Sequence, residues 1–472
     1  MLFSSTKFLY LFLPAVLFFY FVVFRKSRCL QNIFLLFASL FFYACGEPKF
    51  VLVMIVSIIA NWFLGLMIDK KRDNKKLRKF FLCLDIIFNL AILFIFKYLM
   101  FAGNVIEIIS GTDLSVPEIA LPIGISFFTF QAMSYVIDVY KCKNEVQKNI
   151  LYVGLYISFF PQLIAGPIVR YETIADQIIN RKETFNDVAD GFGRFIIGLS
   201  KKVLLANSFS MIANQSFDTV NNGDSISVLF GWLGAIAYTL QIFFDFSGYS
   251  DMAFGLGRMF GFRFPENFDY PYISSSITEF WRRWHISLGT WFRDYLYFPL
   301  GGSRCSKARN ILNLFIVWFL TGLWHGADFT FIVWGLMYFV LLVIEKLTVI
   351  HKKENKILNI FKRLYTMFFV LLGWVIFRAE TMTDAVYYIG HMFGLTGNEF
   401  TDDIFTSWLM QNIILLVIGI ILCTPLFKYL GQKSGKSDFA GIIKTIVLIC
   451  LFILSVSGIV SSSHNPFIYF NF

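Results

Sequence analysis

Two histidines stand in surroundings that suit proton transfer. His325 lies in the stretch FLTGLWHGADFTF, residues 319–331, and between Asn310 and Glu345 the only charged residue is Asp328. His285 lies in ITEFWRRWHISLGTWFRDYLYFPLGGSR, residues 277–304, beside Trp281, Trp284, Trp291, Arg282, Arg283, Arg293 and Asp294. A neutral imidazole takes a proton from a hydroxyl as that hydroxyl attacks a thioester. A thioester is already activated, so one general base and a channel that holds the reactants make a sufficient apparatus. An ionisable group at membrane depth is expensive unless it faces a protein cavity or water, which makes His325 a functional candidate by default. The alternative for His325 on residue type alone is a packing histidine that donates to a backbone carbonyl. The alternative for the segment around His285 is an interfacial anchor belt. His351 in a basic loop, His391 in an outer loop and His464 near the C-terminus are expected to be solvated.

Other chemistries lack their residues. The seven cysteines, at 29, 45, 83, 142, 305, 423 and 450, are scattered and show no CxxC or Cys/His spacing, so neither a disulfide framework nor a zinc site is expected. No Ser/His/Asp or Cys/His motif of a soluble acyltransferase is present, and neither GxGxxG nor GxxxxGK[ST] occurs. The formal charge of +10 falls in short loops between apolar runs, which marks membrane topology and not a nucleic-acid partner.

The elements that must position the histidines follow from composition. Of 472 residues, 57% are hydrophobic and 15% charged, and the mean hydropathy is +0.66. Apolar runs long enough to cross about 30 Å of hydrocarbon recur along the chain. The expected class is an all-α polytopic membrane protein, a single domain over 1–472. The run from Phe8 to Phe24 lacks a basic region before it and a small-residue cleavage site after it, and Arg25, Lys26 and Arg28 follow it, so it reads as a first span and not as a signal peptide.

Basic loops set the orientation: RKSR (25–28), DKKRDNKKLRK (69–79), KCKNEVQK (141–148), SRCSKAR (303–309), HKKENK (351–356) and KYLGQKSGK (428–436) belong on the cytoplasmic side. The loops at 102–118 and 213–226 hold no Lys or Arg and belong outside. Spans are expected near 7–24, 29–46, 50–68, 79–101, 119–140, 191–212, 227–248, 310–326, 328–346, 362–378, 409–428 and 439–459, with both termini outside. The signs agree only if 150–168 enters and returns on one side; Pro161, Gly166 and Pro167 in FFPQLIAGPIVR favour such a re-entrant piece. The count is then about 11–13 transmembrane helices plus re-entrant segments: N-terminal spans over 7–140, a core over about 191–346 and C-terminal spans over 362–459. The stretch between Asn310 and Glu345 must cross twice, and each crossing needs about 17–25 residues, so the HGAD turn has no room for a solvated loop.

Two polar segments lie beside the histidines. In QIFFDFSGYSDMAFGLGRMFGFRFPENF, 241–268, Asp245, Ser247, Ser250 and Asp251 cluster at the inner end of a span, where the glycines suit close helix packing. In 277–304, Glu279 is spaced to pair with Arg282 or Arg283 on a helix. That basic, aromatic segment also suits an anionic, nucleotide-bearing donor such as an acyl-CoA.

At these residues the chain resembles the membrane-bound O-acyltransferase (MBOAT) superfamily, in the bacterial branch that serves alginate and peptidoglycan O-acetylation. The resemblance covers MLFSSTKFLYLFLP (1–14), LPIGISFFTFQAMSYVIDVY (121–140), FPQLIAGPIVRYE (160–172), QIFFDFSGYSDMAFGLG (241–257), SITEFWRRWHISLGTWFRDYLYFPLGG (276–302), TGLWHGADFTFIVWG (321–335), GWVIFRAE (373–380) and the closing NPFIYFNF. It implies a helical bundle around a central channel reached from both faces. It implies His325 as the signature histidine and base, and His285 as a second catalytic or donor-positioning residue. Arg282, Trp284, Arg293, Asp294, Trp324 and Asp328 match the same motifs and are expected to shape the channel or position the donor. It further implies an acetyl-CoA or other acyl thioester co-substrate with no permanently bound cofactor. An extracytoplasmic glycan, a secreted or anchored SGNH-type partner and a bacterial plasma-membrane location complete the expectation. D-alanyl transfer to teichoic acid, a non-enzymatic transporter of the acyl donor, and a scaffold for a secreted enzyme are the rival readings.

Overall fold

The computed structural model describes residues 1–112, 116–143, 145–348, 356–433 and 438–461. Its described residues form helices and connecting turns, with no strand. Among the described residues, eight helices are long and apolar enough to cross a membrane: Val51–Lys70, Lys75–Ser110, Phe185–Asn221, Val228–Met259, Phe329–Thr348, Ile357–Arg378, Asp403–Leu422 and Phe439–Ser461. Phe8–Val23 and Arg28–Ala44 are shorter apolar helices, and Ile125–Tyr140 and Lys307–His325 occupy two further expected spans. The protein is a multi-pass, all-α membrane protein. Many large apolar side chains are exposed on its outside, and the windows of Asp403–Leu422 and Phe439–Ser461 are only 11% and 6% buried. That surface is stable in lipid, where it need not be hidden.

Helix starts follow side-chain caps. Ser27, Asn74, Asn149, Ser276, Ser306, Thr381 and Asp402 each accept a backbone N–H at the head of a helix. Helices also outrun the apolar text. The expected outer loop 102–118 is helical to Ser110, where Gly111 ends the helix in the left-handed conformation. The expected loop 213–226 is helical to Asn221. Polar residues continue a helix beyond hydrocarbon because its backbone bonds are internal, so hydropathy alone underestimates length. The expected span 409–428 is displaced: Asp402 caps a helix that begins at Asp403, and a separate helix starts at Leu426, just after Pro425.

The described chain divides into two compact units. One comprises Met1–Ile196 with Tyr249–Pro265, the other Ile197–Gly248 with Glu266–Phe472. In the first, Phe3, Phe8, Phe42 and Phe160 pack ring against ring. The segment 150–168 is broken as its prolines and glycine suggest: Ile150–Ser158 stops at Phe159, a single turn Phe160–Leu163 follows, and Gln162 Nε2 donates to Tyr156 O at 2.6 Å. Asn61 and Asn89, both buried, exchange amide hydrogen bonds of 3.3 and 3.0 Å between neighbouring helices. Asp251 pairs with Arg194 at 3.0 Å, and the helices at Gly191 and Gly255 meet backbone to backbone.

In the second unit, Asp245 pairs with Lys202 at 2.8 Å, and Gly248 packs against Gly198 O. Both units therefore use the small residues of 241–268 for close helix packing. The helices Lys307–His325 and Phe329–Thr348 meet through Gly322 and Gly335, where a Cβ on either glycine would strike the backbone of the other helix. This close approach fixes His325 at the end of the first helix.

Candidate functional site

His325 is the last residue of Lys307–His325 and is 5% exposed. Only Gly326, Ala327 and Asp328 separate it from Phe329–Thr348, so the turn is as short as the residue count required. Asp328 accepts the Thr330 N–H at 3.0 Å and so caps the second helix, a role more local than shaping a channel. Three rings wall the His325 imidazole: Trp324 at 5.0 Å, Trp334 at 5.0 Å and Phe377 at 5.3 Å between centroids, all near edge-on. Edge-to-face packing of this kind holds a ring in one orientation.

His285 links two seven-residue helices, Ile277–Arg283 and Ile286–Phe292. Its φ of +45° and ψ of +52° are left-handed, a strained conformation for a residue with a Cβ. The surroundings enforce it. Ile286 N donates to Asn267 O at 3.0 Å, and Ser287 donates to Asn267 Oδ1 from its N–H at 3.1 Å and its hydroxyl at 2.9 Å. His285 Nδ1 lies 3.3 Å from the same oxygen. The Phe246 ring stands edge-on at 4.6 Å. Burial pulls the His285 imidazole below its ordinary pKa, so it is neutral at pH 7.

The helix Ile277–Arg283 is tied down at its head. Glu345, near the end of Phe329–Thr348, accepts from Ile277 N at 2.6 Å, Thr278 N at 2.9 Å and Thr278 Oγ1 at 2.7 Å. A carboxylate at a helix N-terminus satisfies orphan amides and opposes the helix dipole. Glu279 pairs with Arg283 at 2.9 Å, which settles the two spacings the sequence allowed. Burial alone would raise the Glu279 carboxyl, but hydrogen bonds from Ser275 N and Oγ and the Arg283 guanidinium bring it below the usual range.

A cavity of about 580 Å³ opens beside this helix, lined by His285, Arg282, Arg293, Trp281, Trp318 and Thr321 among others. Its wall is aromatic and aliphatic; Arg282 and Arg293 are exposed. Arg293 pairs with Asp294 at 2.8 Å. Trp284 also lines the cavity, stacks on Phe280 at 5.6 Å and packs tilted against Trp374 at 4.9 Å. His325 does not line the cavity. Trp324 is in ring contact with both imidazoles, 5.9 Å from His285 and 5.0 Å from His325.

The structure thus gathers His285, Arg282, Trp284 and Arg293 on one cavity, and puts His325 against Trp324, off its lining. Sequence reading passed over Asn267 and Glu345. Glu345 carried a signal, as a lone acid closing an apolar run; Asn267 looked like an ordinary loop residue. His391 is a correction: it lies on the helix Met382–Met392, fully buried, with Nδ1 2.8 Å from Thr396 Oγ1. His351 and His464 lie outside the described residues. Among the described residues no three His, Cys, Asp or Glu side chains gather as a metal site.

The family profile "MBOAT, membrane-bound O-acyltransferase family" matches residues 37–380, which include both histidines and the cavity. The chain belongs to the membrane-bound O-acyltransferase family. It is similar to "Probable alginate O-acetylase AlgI" of Pseudomonas putida, 37% identical over 496 residues covering 100% of both chains. It is similar to "Peptidoglycan O-acetyltransferase" of Helicobacter pylori, 33% identical and covering 100% of this chain and 98% of the relative. It is 30% identical to "Teichoic acid D-alanyltransferase" of Bacillus subtilis, over 55% of this chain and 69% of the relative. As a membrane-bound O-acyltransferase it is an enzyme that moves an acyl group onto a hydroxyl, embedded in a membrane by many helices.

Proposed function

We propose that this membrane-bound O-acyltransferase takes an acetyl group from a cytoplasmic thioester donor and passes it across the bacterial inner membrane for O-acetylation of an extracytoplasmic polysaccharide. The observation that carries the reading is the cavity itself: two exposed arginines at an aromatic pocket lined by His285, whose ring contacts Trp324, which in turn contacts His325. Arg282 and Arg293 suit the phosphates of an acyl-CoA, and the aromatic wall suits its pantetheine arm and thioester. His325 acts as the base. It takes the proton of the acceptor hydroxyl as the oxygen attacks the thioester carbonyl; the carbon–sulfur bond breaks, and the departing thiolate recovers the proton. His285 positions the donor or assists that transfer. The full-length similarity to alginate and peptidoglycan O-acetylating relatives supports acetyl as the group and a wall or exopolysaccharide as its destination. A secreted or anchored SGNH-type protein is the proposed final carrier to the glycan, and both chain termini are proposed to face outside.

Donor choice tests the reading. Membranes containing the protein are supplied with radiolabelled acetyl-CoA or with a D-alanyl carrier thioester. Acetyl labelling of extracytoplasmic polymer supports it; labelling only from the D-alanyl donor overturns it in favour of teichoic acid modification.

A further inference from the structure

We infer that Asn267 is a positioning residue that fixes the tautomer of His285, with the proton on Nδ1 and the lone pair on Nε2. The inference rests on the proposed role of His285. It starts from a group whose hydrogen-bonding sense is not adjustable. The Ser287 backbone N–H can only donate, and it meets the Asn267 side chain at 3.1 Å, so an oxygen and not the amide nitrogen must stand there. The Ser287 hydroxyl at 2.9 Å shares that oxygen. His285 Nδ1 faces the same atom at 3.3 Å. An acceptor opposite Nδ1 calls for a donor, and a neutral imidazole has one proton to place. Nε2 is then the basic nitrogen.

The geometry is built rather than incidental. Asn267 is fully buried, and its backbone oxygen accepts from Ile286 N at 3.0 Å. One asparagine therefore grips the residues on the C-terminal side of His285 and the His285 ring together. The strained backbone at His285 is held from this side, and Phe246 at 4.6 Å leaves the ring little freedom to flip. A flipped ring would exchange the two nitrogens and put the proton where the Nε2 lone pair stands.

The experiment compares acetyl transfer from acetyl-CoA, across a range of pH, in membranes carrying wild type, Asn267→Asp, Asn267→Leu and His285→Ala. Asn267→Asp keeps an acceptor for Ser287 and for Nδ1, and adds a charge that stabilises the imidazolium. More of His285 is then protonated at any given pH, and because it assists transfer in its neutral form the acid limb of the kcat profile moves to higher pH. Asn267→Leu removes the acceptor and lowers kcat by roughly 10- to 100-fold with little change in donor KM, the scale typical of residues that orient a functional histidine. A merely structural role leaves the pH profile of the aspartate variant at wild type, which overturns the inference; if the leucine variant does not fold, the aspartate variant decides alone. Wild-type transfer by His285→Ala overturns the proposed role of His285 and this inference with it. Loss in His285→Ala with wild-type behaviour in both Asn267 variants overturns the inference alone.

Discussion

Gly322 and Gly335 face each other across two antiparallel neighbours, and a Cβ on Gly335 would stand 2.5 Å from Trp318 O and 3.2 Å from the Gly322 Cα. The helix that ends at His325 and the helix that begins at Phe329, three residues between them, are thereby locked backbone to backbone. Neither glycine has a positive φ; both are required for space.

Replacing Gly335 by Ala must push the helices apart, because the obstructing atoms are main chain. The expected cost is about 1–3 kcal/mol, as for overpacking elsewhere, with acetyl transfer lowered more than membrane level. Thermal unfolding in detergent and transfer in membranes check the two effects. Unchanged stability and activity would mean that the close approach is unimportant.

Glu345 holds the head of Ile277–Arg283 through three hydrogen bonds. Glu345→Ala strands buried donors and is expected to cost about 1–3 kcal/mol. Because the helix it caps carries Trp281 and Arg282 on the cavity wall, the donor KM should rise as well. Glu345→Gln, which retains one acceptor oxygen, should lie between the two in both measurements.

Arg282 and Arg293 are exposed at the cavity, so each contributes modestly to holding an anionic donor. Arg282→Ala and Arg293→Ala are each expected to raise the acetyl-CoA KM severalfold with kcat little changed, the scale of exposed charge interactions. The effect should shrink as salt is raised, since screening weakens the contact already present in wild type. A fall in kcat at unchanged KM would assign these arginines to something other than donor capture.

The legible part of this protein was its constraint on length. Too few residues separate Asn310 from Glu345 for two crossings and a loop, and the turn at 326–328 is three residues long. The breaks at Pro161 and Gly166 and the 279–283 ion pair follow from local chemistry in the same way. What hydropathy missed were polar continuations. The helices running to Ser110 and Asn221 leave the apolar text before they end. His391 was missed for a related reason: its helix is amphipathic and short, and looked like a loop. Asn267 was illegible because it meets His285 only after the chain turns back from a helix end through an irregular segment. No periodicity marks a contact made by a loop.

The central claim is that His325 is the base for acyl transfer. The direct measurement is transfer of labelled acetyl from acetyl-CoA to extracytoplasmic polymer in membranes carrying His325→Ala at wild-type levels, alongside binding of acetyl-CoA to the same variant. The account predicts that transfer falls by roughly 10²- to 10⁴-fold, the range for loss of a general base, while acetyl-CoA binding persists at the cavity beside His285. Transfer at the wild-type rate in that variant would contradict it.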